Sequence, residues 1–252
     1  MLEGGLCVGG VDSRRLPVKR DTHLDLLKWL AMLSMLADHS RYLWPQAEGW
    51  LFIIGRLAFP LFCLGIAANV CRSPSGQLFT DSNARYLGWL VAFSILSELP
   101  YHLLSTESST LNIMPTLLLG LLICWGMHHQ GRQGLLLGAL GLTVAMLLHE
   151  RLMYGVFGAL LPAALMLAKQ RPGLAWLLPA LLCVLANNRG RWVTGWGLDE
   201  QWGNMLAEFI SPLLGLWLLQ MKTTYRVWPV GRWGYFFYPG HMLALAALRA
   251  LL

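Results

Sequence analysis

Charge is scarce in this sequence. Of its 252 residues only 13% are Asp, Glu, Lys or Arg, while 56% are hydrophobic. A soluble domain carries about 25% charged residues, so this chain has too little polar surface to cover a water-soluble globule. Cysteine supplies no framework either. Cys7, Cys63, Cys71, Cys124 and Cys183 are odd in number and form no CxxC pair. Four of them lie in apolar runs, where a thiol behaves as a small hydrophobe, which argues against a disulfide scaffold or a metal site. No Gly/Ser-rich linker, low-complexity block or internal repeat divides the chain. The first 23 residues lack the short apolar core and cleavage site of a signal peptide. They are polar and basic, and read as a cytoplasmic tail followed by an uncleaved membrane anchor.

Long apolar runs are what the chain has instead, together with 12 Trp, a residue that favours membrane–water interfaces. A spanning helix takes roughly 20 apolar residues. Candidate spans are 24–44, 50–70, 84–104, 111–128, 134–149, 153–169, 174–188, 204–221 and 235–252, the fifth and seventh being short. The sequence therefore predicts an all-α, polytopic transmembrane bundle of about nine spans, with residues 1–23 as a tail and 24–252 as one domain. The net charge of +6 does not point to nucleic acid, because the basic residues alternate between the loops. With the N-terminus inside, twelve Lys or Arg fall in inner segments and four (Arg41, Arg151, Arg189, Arg191) in outer loops. Positive-inside topology then gives N-in and C-out. The Trp192–Trp202 stretch reads as part of an interfacial aromatic belt.

A charge near the bilayer centre costs about 2.5–3.5 kcal/mol on insertion scales, so such a residue faces a partner or a wet cavity. Asp25 and Lys28 lie near a span end and can snorkel. Asp38, His39, Arg56, Glu98 and His241 are harder to explain that way. Asp38 lies 14 residues past Leu24, about 21 Å along the helix at 1.5 Å per residue. Arg56 lies six residues past Trp50, about 9 Å down from the opposite face. In a hydrocarbon core about 30 Å thick these are one level, joined by a short loop, which predicts an Asp38–Arg56 ion pair. Glu98 falls at the same level. Adjacent residues diverge by about 100° on a helix, so His39 points elsewhere than Asp38, into a cavity. Such a pair can also simply lock two helices, and a membrane histidine can be hydrogen-bonding glue.

Several segments carry a resemblance. Asp25 to His39, ending in the Asp38-His39 pair, resembles the opening of the TraX/TrbP family of conjugative-transfer membrane proteins. Gly55-Arg56-Leu-Ala-Phe59-Pro60-Leu61-Phe62 is similar to the family's GR-x-xFPLF segment. Asn112-Ile-Met-Pro-Thr116-Leu117-Leu-Leu-Gly120 resembles its NI-x-x-T-L-x-x-G pattern, with Pro115 where the family often has Phe. Tyr154-Gly155 resembles a YG pair, and Tyr235-Phe-Phe-Tyr238-Pro239-Gly-His241 the closing FYP-x-H element. The likeness runs from about residue 24 to 252.

The resemblance implies an inner-membrane acetyltransferase that moves acetyl from acetyl-CoA to the N-terminus of a conjugative pilin. Under it, His39 or His241 is the base that deprotonates the amine. Arg56 stabilises the oxyanion and Asp38 holds Arg56. Asn112 adds a hydrogen bond, and Thr116, Glu98, Tyr154 and Tyr238 complete the substrate side. Arg72, Arg85, Arg226 and Arg232 are candidate partners for the phosphates of CoA. No metal is expected; the partners are the pilin and membrane lipid, not nucleic acid. Because the donor is cytoplasmic and the Asp38–Arg56 level is nearer the outer face, the site is expected to be a tunnel. The alternatives are an ion-coupled transporter, since intramembrane Asp, Glu and His also form proton relays, and a non-catalytic assembly partner of a pilus or secretion complex.

Overall fold

Every apolar run of the sequence becomes helical, and caps and prolines set the boundaries. The computed structural model describes residues 21–188, 198–221 and 226–251, with side chains of the middle stretch from Trp202 onward. Residues 1–20, Lys222, Arg189, Arg191 and most of Trp192–Trp202 lie outside the described residues. The elements are α1 (Thr22–Ser40), α2 (Glu48–Gly55), α3 (Ala58–Arg72), α4 (Asp81–Leu96), α5 (Glu98–Leu104), α6 (Ile113–His129), α7 (Arg132–Leu147), α8 (Gly155–Gln170), α9 (Leu177–Asn187), α10 (Leu198–Gln220) and α11 (Trp233–Leu251). Short 3-10 turns precede α2 and α9, and no strand occurs among the described residues.

The first helix starts two residues earlier than the apolar pattern suggests. Asp21 is its N-cap, with the side chain accepting from the backbone N–H of His23 at 3.0 Å, which satisfies one of the orphan donors of the first turn. Thr80 caps α4 in the same way, through the N–H of Asn83. Two predicted spans are broken, and both breaks follow from proline. A proline inside a helix lacks a donor, and its ring clashes with the carbonyl four residues back. Four residues before Pro60 is Arg56, where α2 gives way to α3. Four residues before Pro100 is Leu96, where α4 ends.

Helices α1, α3, α6 and α8 form the centre, with α1 against α3, α3 against α8, and α6 against both α7 and α8. One large apolar cluster links residues of these helices with α4, α5, α9 and α11. The outward faces are also apolar. Ile95, Leu99 and Leu103 on α4 and α5, and Leu135, Leu136, Leu140 and Leu147 on α7, are all exposed. Apolar patches of this extent mark a surface that meets something other than water. By length and composition, the runs Pro45–Arg72, Asp81–Leu104 and Trp202–Gln220 are long and apolar enough to cross a membrane, and four shorter apolar helices accompany them.

Small residues let α6 and α7 approach closely, as in membrane helix pairs. A Cβ on Gly126 would lie 2.7 Å from the Cα of Gly138 and 3.0 Å from the carbonyl oxygen of Gly134. These are backbone atoms and cannot swing aside. Gly126→Ala is therefore expected to destabilise the bundle by about 1–3 kcal/mol, the usual cost of overpacking. Gly88→Ala, whose Cβ meets nothing within 4 Å, should leave the midpoint of thermal unfolding in detergent unchanged.

Candidate functional site

Three of the five predicted ionisable residues, Asp38, His39 and Arg56, line one polar cavity. It has a volume of about 270 Å³ and is lined by Asp38, His39, Arg41 and Tyr42 of the α1 end, Arg56 at the α2–α3 break, Tyr101, Tyr154 and Asn187, among others. The α2–α3 break matters here. It places Arg56 where the helix ladder is interrupted, so the guanidinium turns into the bundle. Nη2 of Arg56 lies 3.7 Å from Oδ1 of Asp38. Nη1 donates to Oδ1 of Asn187 at 2.5 Å, and the group sits 3.8 Å over the ring of Phe52, a cation–π contact. Asp38 also has Nη1 of Arg41 at 3.9 Å, yet its Oδ1 is buried without a hydrogen-bond partner among the described residues.

Asp38 can come this close because residue 55 is glycine. A Cβ there would stand 2.5 Å from both the Cβ and Oδ1 of Asp38. Beside it, Ser34 donates to the carbonyl of Ile54 at 2.6 Å, fixing α1 against α2 at the same level.

His39 and His241 form the second half of the site. Nδ1 of His39 lies 2.7 Å from Nε2 of His241, and Nδ1 of His241 lies 2.7 Å from the carbonyl oxygen of Phe237. The imidazole centroids are 5.0 Å apart with planes 13° from parallel. That separation is the N–N distance plus two ring radii, so the rings meet edge to edge in nearly one plane. The tautomers follow from the hydrogen bonds. A carbonyl only accepts, so His241 carries its proton on Nδ1 and accepts on Nε2. Neutral His39 must then donate from Nδ1, which leaves the lone pair on its Nε2. That nitrogen is 3.9 Å from Oδ2 of Asp38. His241 is thus mid-helix in α11 and faces α1, despite Pro239 and Gly240 just before it.

The family described as TraX protein matches residues 23–249. The chain belongs to the TraX family. Two curated relatives, both named Protein TraX, match shorter stretches. One, from Escherichia coli, is 30% identical over 79 residues, which is 31% of this chain and 29% of the relative. The other, from Escherichia coli strain K12, is 33% identical over 67 residues, 27% of this chain and 26% of the relative. The matched parts therefore span under a third of each relative. No solved structure matches the chain.

The TraX-like segments meet in space. Asp38, His39 and Arg56 line the cavity, with Gly55 packed against Asp38 and His241 against His39 behind them. Tyr154 lines it and stacks on Phe59 of the Phe59-Pro60 segment, with ring centroids 4.0 Å apart and planes 7° from parallel. Gly155 adopts φ of +57°, a left-handed turn into α8 that explains glycine after Tyr154. Asn112, Thr116 and Glu98 do not line the cavity. Asn112 caps α6 by accepting from the N–H of Met114, and its amide donates to Glu98 and to the carbonyl of Ser94. Glu98 also meets His102 at 3.0 Å. Thr116 is buried, with its hydroxyl unpartnered among the described residues. The Tyr238 hydroxyl accepts from the N–H of Ile113 at 3.4 Å. Arg72, Arg85, Arg226 and Arg232 are exposed and flank one end of the bundle, where Arg72 pairs with Asp21.

Arg41, Tyr42, Tyr101 and Asn187 are cavity residues that sequence reasoning passed over. Arg41 and Tyr42 had a signal: they stand one turn past Asp38 and share its helix face. Asn187 and Asn188 end an otherwise apolar run. Asn187 donates to the carbonyl of Cys183, so its Oδ1 is turned to Arg56, and Asn188 donates to the buried Glu208 at 2.8 Å.

Single removal of Asp38 strands Arg56 in a low-dielectric site, whereas removing both charges does not. Asp38→Asn and Arg56→Gln are therefore each expected to lower the unfolding midpoint in detergent, and the double variant less than their sum. The cycle should give a coupling of about 0.5–3 kcal/mol; strict additivity would show that the two charges do not interact.

Proposed function

We propose that this TraX-family protein is an inner-membrane N-acetyltransferase, which transfers acetyl from acetyl-CoA to the N-terminus of a conjugative pilin. Its chain crosses the membrane about nine times, N-in and C-out. The observation that carries this reading is the His39–His241 pair: a hydrogen-bonded relay, anchored on a backbone carbonyl, whose lone pair at Nε2 of His39 borders a polar cavity 3.9 Å from Oδ2 of Asp38.

The chemistry follows from those atoms. Amine attack on a thioester needs a neutral nucleophile, and His39 is the base. The acceptor amine donates toward Oδ2 of Asp38, the carboxylate oxygen that lies 3.9 Å from Nε2 of His39. As the new N–C bond forms, the amine proton passes to Nε2 of His39. The imidazolium is stabilised by its bond to His241, as a triad histidine is by its orienting partner. Arg56, held by Asn187 and Phe52, stabilises the charge that develops on the carbonyl oxygen, and Arg41 adds positive potential. When the C–S bond breaks, the proton on His39 returns to the departing sulfur. The products are an N-acetylated chain and a free thiol, and the residues regain their starting protonation.

This reading gives two roles to the two histidines. His39→Ala should abolish acetylation of a co-expressed conjugative pilin, read by intact-protein mass spectrometry, while membrane abundance stays at the wild-type level. His241→Ala should leave residual turnover, with kcat down about 10²–10⁴-fold, the usual worth of positioned acid–base catalysis. Full acetylation by His39→Ala would refute the assignment. Proton-dependent solute uptake without any acetylation would favour a transporter.

A further inference from the structure

A second cavity, lined mostly by apolar side chains and about 150 Å³ in volume, lies between α1, α3, α4, α6 and α11. Its lining on α1 is Lys28, Met32 and Met35. The polar cavity continues the same face with His39 and Tyr42. Residues 28, 32, 35, 39 and 42 step by four and three, which is one stripe of a helix. On α11 the order repeats: Gly234, Tyr235 and Tyr238 line the apolar cavity, and His241 one turn on meets His39. The two cavities therefore lie end to end along two neighbouring helices, with Met35 and Tyr238 at the septum.

The far mouth of the apolar cavity is at the bundle end that carries Arg72, Arg85, Arg226 and Arg232. A strap crosses it. The N–H of Val230 donates to Asp25 at 3.1 Å, Lys28 donates to the carbonyl of Val230 at 3.3 Å, and the Trp29 indole donates to the carbonyl of Trp228 at 3.0 Å. Lys28 to Met35 is seven residues, about 10 Å at 1.5 Å per residue. So small a volume over that length makes a slot, shaped for a thin chain. Its walls are apolar except for a few polar groups, among them Asn69 and Tyr86.

We propose that this slot holds the linear amide-containing arm of a coenzyme A thioester, with the nucleotide phosphates among the exposed arginines and the acyl end at the Met35–Tyr238 septum, facing His39. This rests on the acetyltransferase reading and names the route its donor takes. Asn69 and Tyr86 hydrogen-bond the amides of the arm, and the span from Lys28 to His39 is one that the extended arm covers. The strap at 226–231 must shift for the arm to enter, which ties donor entry to the hydrogen bonds of Asp25 and Lys28.

Gly65 gives the test. It lines the slot, and a Cβ there would meet only Leu27, at 4.0 Å, so side chains can be added into open space. Acetyl-CoA binding to the purified full chain in detergent is measured by calorimetry. Affinity should fall with added volume from Gly65→Ala to Gly65→Leu, by at least tenfold for Leu. Asn69→Leu, which fills the slot and removes an amide partner, should behave similarly and covers the case in which Gly65→Leu does not fold. Gly88→Ala should bind as the wild type does. Wild-type affinity in both leucine variants, in a protein that still acetylates pilin, overturns the slot assignment alone. A wild-type chain that binds no acetyl-CoA overturns the assignment together with the acetyltransferase reading.

Discussion

Asp38 lies against the backbone of Gly55, and much of the bundle is arranged so that it can. A carboxylate in a low-dielectric interior needs opposite charge nearby. Here the charge is Arg56, three turns and a loop away in sequence, with Arg41 from the same helix face. Any side chain at position 55 would force α1 away from α2 at the level where Ser34 ties them together. The geometry is loose: both guanidinium groups face Oδ1 at 3.7 and 3.9 Å, and that buried oxygen has no hydrogen bond among the described residues. An unmade hydrogen bond to a buried carboxylate costs more than a typical bond contributes. With the other oxygen, Oδ2, 3.9 Å from the lone pair on His39, the cluster is more than a lock between two helices.

Proline arranges the polar groups that share the interior. Pro60 interrupts the ladder at Arg56, Pro100 interrupts it just before Glu98, and Pro212 stands four residues after the buried Glu208 inside α10. In each case an ionisable side chain falls at or near the turn whose carbonyl the ring displaces. Hydrocarbon offers such groups no water, so neighbouring helices supply partners: Asn187 for Arg56, Asn112 for Glu98, Asn188 for Glu208. Three asparagines near helix ends carry a large part of the interior's polar accounting.

The helices were legible because membrane-length apolar runs and their polar interruptions are local patterns, and all nine predicted runs correspond to helical segments among the described residues. The breaks were legible only in principle. Pro60 and Pro100 are plain in the sequence, yet a proline in an apolar run can kink, break or merely bend a helix, and the neighbours decide which. Depth was also readable, since rise per residue fixes it, and it brought Asp38 and Arg56 to one level. Azimuth was not. Glu98 shares that level but turns toward Asn112 and His102, because its direction depends on the α4–α5 break. The meeting of His39 with His241 spans 202 residues and leaves no local trace. Only the likeness to TraX proteins joined them beforehand, and it did not say which nitrogen faces the cavity.

The strap at 226–231 and the histidine pair share one property: each joins the first described helix to the last. During synthesis α1 is made long before α11 exists. Until then Asp25, Lys28 and His39 lack the partners they have in the finished bundle, and His39 has no second ring to fix its tautomer. The lone pair on Nε2 of His39 is thus fixed last, by the helix that directly follows the strap. A ribosome-bound or prematurely ended chain would carry the Asp38-His39 motif without the contact that fixes the His39 tautomer, so synthesis of the last helix sets when the pair is complete.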